Sequence, residues 1–330
     1  NDAILMPDDV MRVFAGRVSY FAGAPSWTFP TADIRKVKLR MSPHQSRWYH
    51  ADIVNELTQR GTVREASAST SFYSTARQRA NVAFPRGLAG DDGLRALTAA
   101  DIRERIGVYS CKMAHLRRKL RKNKLAFVYT AYTGAAGIDL IVRCLQTWGW
   151  RDYFTDGPGR GRFAVWSGDT SDARRDEIRS VYNRADNDDA SQIAVVIGSP
   201  AIREGVSLLR VRSAHLIDLY WNMPRIDQIV GRVIRFCSHK TLPAAERNVR
   251  VYMYMAYATR SGTRSAAPGK PTAPGKPTTS APTTSALPDT ADPDVSIDAY
   301  MLGLAEEKKM ENAPYITALQ EIAIDRALNA

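Results

Sequence analysis

The 330 residues are 44% hydrophobic and 24% charged, an ordinary globular balance, and no apolar run approaches the ~18 residues of a membrane-spanning helix. Lysine and arginine number 46 against 34 aspartates and glutamates, and the resulting net charge of +12 favours a polyanionic partner, nucleic acid first. The three cysteines, Cys111, Cys144 and Cys237, are too scattered for a disulfide framework, and Cys237 with His239 lacks the second pair that a zinc site needs, so the sequence predicts a reducing intracellular compartment and no metal.

The chain opens at Asn1 without a signal peptide, and a fragment or a processed product is expected. Residues 1–55 carry two strand-like pieces, "GRVSYF" and "IRKVKLRM", and then a helix that starts near Ser42 and Pro43. Residues 56–122 are polar and rich in Arg, Ala and Ser, a basic helical insertion. Within it, "KMAHLRRKLRKNK" puts Met113, Leu116 and Leu120 on one helical face amid a dense basic array. That array is either a solvated face or a nucleic-acid contact.

From Leu125 the pattern changes. "LAFVYTAY", "RFAVWSGD", "QIAVVIGSP", "SAHLIDLY" and "NVRVYMYMAY" read as five strands, separated by helical stretches such as "IDLIVRCLQTWGW" and the charged run from Ser171 to about Asn183. Near-continuous apolar strands alternating with helices predict an α/β domain over 123–260, a parallel sheet with helices on both faces. Residues 261–294 are Pro, Thr, Ala and Ser with Leu287 as the one bulky apolar residue, and disorder is expected. Helical periodicity resumes over 295–330 as a C-terminal element.

Ligands of open parallel sheets collect beyond the carboxyl ends of the strands. Two stretches fall there. "IGSPAIREGVSL" follows the third of these strands, with Ser199 at its mouth and Glu204, Gly205 and Ser207 in the next turn. "DQIVGRVIRFCSH" follows the fourth, with Gln228, Arg232 and Arg235 at spacings of four and three. On a helix turning about 100° per residue those three share one face, and Ile226, Ile229, Val230, Val233 and Ile234 take the other. Asn222 and Pro224 are suited to starting that helix. The pattern predicts two outward guanidinium groups that are either solvated or met by an anion.

Glutamine, three residues, then Arg-x-x-Arg ("QIVGRVIR") resembles the sixth motif of superfamily 2 helicases and translocases. "GSPAIREGVSL" is similar to their fifth motif, "FVYTAY" to the fourth, and "VWSGD" with "RRDEI" to the element between, in the same order from Leu125 to Met255. Each motif is weak alone; the ordered set is specific. The stretch from Arg203 to Tyr254, with "GRVSYF", "MSPHQSRWY" and "FYSTARQRANVAFP" upstream and "SIDAYMLGLAEEKK" downstream, resembles the helicase-type ATPases of large eukaryotic DNA viruses. That group includes poxvirus nucleoside triphosphatase I and the early transcription factor small subunit. The similarity covers nearly the whole chain apart from the low-complexity tract.

The resemblance implies a RecA-like sheet whose arginines reach a triphosphate bound by another RecA-like domain. It assigns Arg232 and Arg235 as the arginine fingers and Gln228 as their link to the nucleotide or to an acidic motif. It places Glu204, Gly205 and Ser207 at the nucleotide edge of the interdomain cleft, and gives Thr130 and Ser199 to nucleic-acid phosphates. It also implies ATP and Mg²⁺, held mainly by a first domain. G-x-x-x-x-G-K-[ST] and an acidic magnesium motif are both missing from the sequence; "GPGRGR" at 157–162 and the two "PGKP" copies lack the required lysine-hydroxyl pair. Residues 1–55 are accordingly expected to be the connector from that first domain, and the chain alone is expected to hydrolyse no ATP. DNA is the expected track, viral RNA polymerase a possible partner, and the virion or host cytoplasm the implied setting. The alternative is a non-catalytic RecA-like module that binds nucleic acid or a polymerase. A promoter-binding factor would need a reader such as helix-turn-helix or zinc, and the sequence shows neither.

Overall fold

The structure, a computed structural model, describes residues 7–19, 24–60, 73–203, 206–259 and 296–325. Its centre is one seven-stranded sheet, every neighbouring pair parallel, in the order β1-β7-β6-β2-β5-β4-β3. The strands are β1 Thr31–Arg40, β2 Ala126–Tyr129, β3 Arg151–Asp152, β4 Arg162–Trp166, β5 Val195–Gly198, β6 Ser213–Leu216 and β7 Asn248–Tyr257. Parallel strands cannot be joined by hairpins, so the connections cross over, largely through helices. The helix α1 Pro7–Phe14 precedes β1. Among the described residues, six α-helices separate β1 from β2: α2 Pro43–Arg60, α3 Ser74–Asn81, α4 Gly90–Ala96, α5 Ala99–Glu104, α6 Ile106–Tyr109 and α7 Cys111–Lys119. Then come α8 Ile138–Thr147, α9 Tyr153–Asp156, α10 Asp172–Tyr182, α11 Met223–Val230 and α12 Ile297–Glu321. This is the RecA-like α/β arrangement with a helical insertion and a C-terminal helix.

All five strands predicted after Leu125 form. β2 (Ala-Phe-Val-Tyr) and β5 (Val-Val-Ile-Gly) are buried at every position, as a sheet covered on both faces demands. Gly198 ends β5 because a Cβ there would lie 2.7 Å from the Phe127 ring; only glycine lets the two strands close at that point. β3 is a two-residue strand that the sequence pattern did not announce. "IRKVKLRM" lies largely within β1, which pairs with β7 from Thr31↔Asn248 to Arg40↔Tyr257. β1 is mostly exposed and carries Asp33, Arg35, Lys36, Lys38 and Arg40, charges that suit a sheet edge. No strand forms over the described part of "GRVSYF", residues 16–19.

In α7 the predicted apolar face holds, with Met113 and Leu116 fully buried and Leu120 6% exposed at its end. Lys112 departs from expectation. It belongs to the basic array, yet it is fully buried, because positions 112 and 116 are one helical turn apart and share the inward face. The tract 261–294 lies outside the described residues. Its flanks are pinned to α2, with Thr259 N donating to Ser46 Oγ at 2.9 Å and Ile297 N to Tyr49 Oη at 2.7 Å.

Candidate functional site

β2, β5 and β6 end level with one another, Tyr129 opposite both Gly198 and Leu216. The ladder runs one residue further. Thr130 N donates to Gly198 O at 3.1 Å, Ile217 N to Tyr129 O at 2.9 Å, and Ser199 N to Trp166 O at 3.1 Å. The first residues past the strands are therefore held rigidly at the carboxyl edge. Thr130 is fully buried, and its hydroxyl donates to Asp218 Oδ2 at 2.6 Å; Ser199 is 1% exposed, and its Oγ accepts from Ala201 N at 3.3 Å. Both hydroxyls are thus engaged inside the chain.

Asp218, two residues past β6, organises this edge. Its Oδ2 also accepts from Ala131 N at 2.9 Å, and its Oδ1 from Asn81 Nδ2 at 2.8 Å. Asn81 Oδ1 in turn accepts from Lys112 Nζ at 3.0 Å. The ammonium also reaches Ile217 O at 2.8 Å and Asp298 at 2.8 Å, and Asp298 accepts from Ala256 N at 2.9 Å. One buried polar chain thus fastens α3, α7 and α12 to the ends of β2, β6 and β7. Burial raises the Asp298 carboxyl above its ordinary value, against the pull of Lys112. None of these residues was singled out from the sequence. Lys112, one turn before Leu116, and Asp218, an acid closing an apolar strand, carried the readable signal.

The arginine pair lies in a turn. The sequence predicts one helix bearing Gln228, Arg232 and Arg235, but α11 stops at Val230. Gly231 follows, the poorest helix former after proline, and the bonds tighten to Arg232 N on Ile229 O at 3.1 Å and Val233 N on Val230 O at 3.0 Å. Further on, Cys237 N is drawn to Thr28 O at 2.8 Å, with Cys237 itself at φ 54°. The apolar side is as predicted: Ile226, Ile229 and Val233 are buried, Val230 and Ile234 half-buried. Pro224 occupies the first turn of α11, while Asn222 holds the N-cap position without a side-chain capping bond.

Both guanidinium groups, half-buried, turn to the same carbonyl. Arg232 Nη1 donates to Val206 O at 3.4 Å and Arg235 Nη1 to it at 3.2 Å, and Arg235 also donates to Ser207 Oγ. The 206–209 stretch is clamped from the other side by Asn183 at the C-cap of α10. Its Nδ2 donates to Ser207 O at 2.7 Å, and its Oδ1 accepts from Leu209 N at 2.8 Å. The structure therefore brings Arg232, Arg235 and Ser207 together. Gln228 is exposed on the last turn of α11, and Glu204 and Gly205 lie outside the described residues. Two planar forks fixed side by side on one carbonyl form an arrangement suited to phosphate oxygens.

A cleft of about 200 Å³ opens at the same edge, lined by Arg77, Tyr132, Pro200, Tyr220, Trp221 and Arg225. Arg225 lies 3.6 Å from the Tyr220 ring centre, Arg77 lies 5.5 Å from that of Tyr132, and Lys308 of α12 stands 4.0 Å over Trp221. Burial pushes the Tyr132 phenol up, so it stays a neutral donor. Cations backed by aromatic faces are a common means of holding nucleic acid. Among the described residues no group of three or more His, Cys, Asp or Glu could hold a metal ion, and no helix is long and apolar enough to cross a membrane.

No family model matches the chain. A protein of Acanthamoeba polyphaga mimivirus, provisionally named an ATP-dependent RNA helicase, is 37% identical over 254 residues, 75% of this chain and 44% of that protein. A provisionally named helicase of Invertebrate iridescent virus 3 is 25% identical over 285 residues, 78% of this chain and 26% of its own length. The early transcription factor large subunit homologue of African swine fever virus is 33% identical over 105 residues, 32% of this chain and 9% of that protein. The chain thus spans less than half the length of these relatives. Among solved structures, the C-terminal part of the Fun30 ATPase domain (TM-score 0.45, 16% identity, 68% of this chain and 86% of that one) is similar. So is the Sulfolobus solfataricus SWI2/SNF2 ATPase core domain (TM-score 0.46, 15% identity, 70% of this chain and 41% of that one). Likeness at that level says nothing of function. By its sequence relatives, the chain is similar over three quarters of its length to provisionally named helicases of large DNA viruses, in line with the ordered motifs of its sequence.

Proposed function

We propose that this chain supplies the arginine half of an ATP-driven nucleic-acid motor used in viral transcription, with ATP and Mg²⁺ held mainly by a first RecA-like domain. The observation that supports this most is the convergence of Arg232 and Arg235 on the Val206 carbonyl beside Ser207. Two guanidinium groups prealigned in this way can meet a γ-phosphate and stabilise the charge that spreads over its equatorial oxygens in phosphoryl transfer. In GTPases such a finger is worth roughly 10³–10⁵ in rate. In this reading Gln228, exposed one turn before Arg232, bridges toward the nucleotide and Ser207 borders it, with Glu204 and Gly205, outside the described residues, assigned to the same border. No step here passes through Mg²⁺, since the residues described offer it no ligand cluster.

Nucleic acid is the polymer class we assign, DNA first. The names of the relatives point to an RNA helicase and a transcription factor, and the net charge of +12 fits any nucleic acid. Thr130 and Ser199 fix the edge from within, while Arg77, Arg225 and Lys308 on their aromatic supports are the groups that can meet a strand. We extend the reading to viral RNA polymerase as a partner and to the virion or host cytoplasm as the setting, on the resemblance to viral transcription proteins alone.

The test is to join the chain to an N-terminal RecA-like half and measure DNA-stimulated ATP turnover. Arg232→Ala or Arg235→Ala is expected to lower turnover by about 10³ while nucleotide affinity changes by only a few-fold. Full turnover with both arginines removed would overturn the roles assigned to them, and no DNA-stimulated turnover on joining is the result expected of a non-catalytic module.

A further inference from the structure

The amino-terminal edge of the sheet carries a second feature that the motor reading does not use. At the amino-terminal ends of β6 and β7 an open groove of about 320 Å³ is lined by Lys119, Arg121, Lys124, Arg212, Arg250 and Tyr252. Ser213 and Asn248, the first residues of those two strands, complete it. No carboxylate lines the groove. Arg212 is met by Glu246 at 3.5 Å and Arg250 by Asp33 at 3.0 Å, both from outside it. Lys119, Arg121 and Lys124 are exposed and have no ion-pair partner among the described residues. Like charges this close repel one another, so the groove is an electrostatic cost to the folded chain unless an anion enters it.

We infer that this amino-edge groove is a second nucleic-acid site, independent of the carboxyl edge, that takes the phosphodiester backbone. Its shape supports a polymer over a compact anion. The groove is open, and the basic run continues past it through Arg117, Arg118 and Lys122 on the same segment, all exposed. A small polyphosphate would be better served by an enclosed pocket, whereas a duplex presents one charge per about 1.7 Å of axis along such a track. Tyr252 gives the groove a firm floor: its ring stacks on buried His215 at 5.0 Å and 11°, with Lys119 Nζ 5.5 Å above it. Arg121 is oriented from behind, its Nη1 donating to Arg118 O at 2.8 Å. The contacts read backbone charge and carry no base code, so binding there is expected to be independent of sequence.

The experiment uses the 330-residue chain and a fluorescent duplex oligonucleotide, with anisotropy read from 50 to 200 mM salt. The variant is Lys119→Gln/Arg121→Gln/Lys124→Gln, three exposed positions whose loss leaves the core untouched, with circular dichroism to check the fold. Affinity is expected to fall at least tenfold at low salt, and the slope of log affinity against log salt to shrink by about 2–3. Amides of the 119–124 segment are expected to gain hydrogen-exchange protection when duplex is added to the wild-type chain. Unchanged affinity and slope in the variant would overturn the site. Inorganic tripolyphosphate displacing the duplex as effectively, phosphate for phosphate, as unlabelled DNA would overturn the polymer as its source. Poly-glutamate doing the same, charge for charge, would reassign the groove to an acidic protein.

Discussion

Lys112 shows what a single residue can do in this fold. Its ammonium is fully buried and divides its donors among Asn81, Ile217 and Asp298. Removing it leaves a buried carboxylate with no counter-ion, which is far more costly than never having had the pair. Lys112→Met is therefore expected to destabilise the chain by about 3–5 kcal/mol in urea unfolding. Lys112→Met with Asp298→Asn is expected to recover much of that loss, because the amide still accepts from Ala256 N and position 298 no longer holds an unmatched charge. A loss under about 1 kcal/mol in the single variant would show that the pair does not hold the edge together. The sequence made Lys112 one of many basic residues. Charge runs do not show which member faces inward; only the helical phase against Met113 and Leu116 does. Strand-end hydroxyls also look alike in sequence, and only the structure shows that Thr130 meets the Asp218 carboxylate and Ser199 the Ala201 N–H.

At the level of elements, the strands were legible and one helix end was not. Continuous apolar runs identify β2, β5 and β7 because both faces of the sheet are covered. The helix through Arg235 failed at Gly231, where local propensity outweighed a good 3.6-residue pattern, and Arg232 and Arg235 sit on a turn instead. The β6–β7 pair makes a prediction of its own. His215 stacks on Tyr252, bonds Tyr254 Oη at 2.9 Å, and lies in contact range of the Tyr254–His115 edge pair. Burial holds His215 down to about 3 and His115 to about 4, against an ordinary 6.5, and keeps His239 low as well. Between about 6.5 and 4 the unfolded chain then binds more protons than the folded one, so stability rises with pH across that window and is lost as pH falls through it. The thermal midpoint should drop between pH 6.5 and pH 5, above the range where carboxylates titrate, and more gently in His115→Gln. A midpoint that stays flat there would contradict the burial of these rings.

For the molecule as a whole, the two ends of the Pro-Thr-Ala-Ser tract return to one turn of α2, at Ser46 and Tyr49. Residues three apart on a helix are roughly 5–6 Å apart, so the fold needs only a short bridge there. Replacing 262–293 by a four-residue Gly-Ser linker is expected to shift stability by no more than about 1 kcal/mol, since loop length enters closure entropy only logarithmically. A loss of several kcal/mol would mean that the tract supports the core. The net charge of +12 predicts an anionic partner but not where one would bind. The amino-edge groove and the arginine turn each draw on chain segments far apart in sequence, and only the sheet order brings each set together.

The central claim concerns the arginine turn. The most direct measurement is the single-turnover rate of ATP hydrolysis by the joined two-domain enzyme at saturating nucleotide, wild type against Arg235→Ala. The account predicts a fall of about two orders of magnitude or more in the chemical step with nucleotide affinity nearly unchanged. An unchanged rate would contradict it.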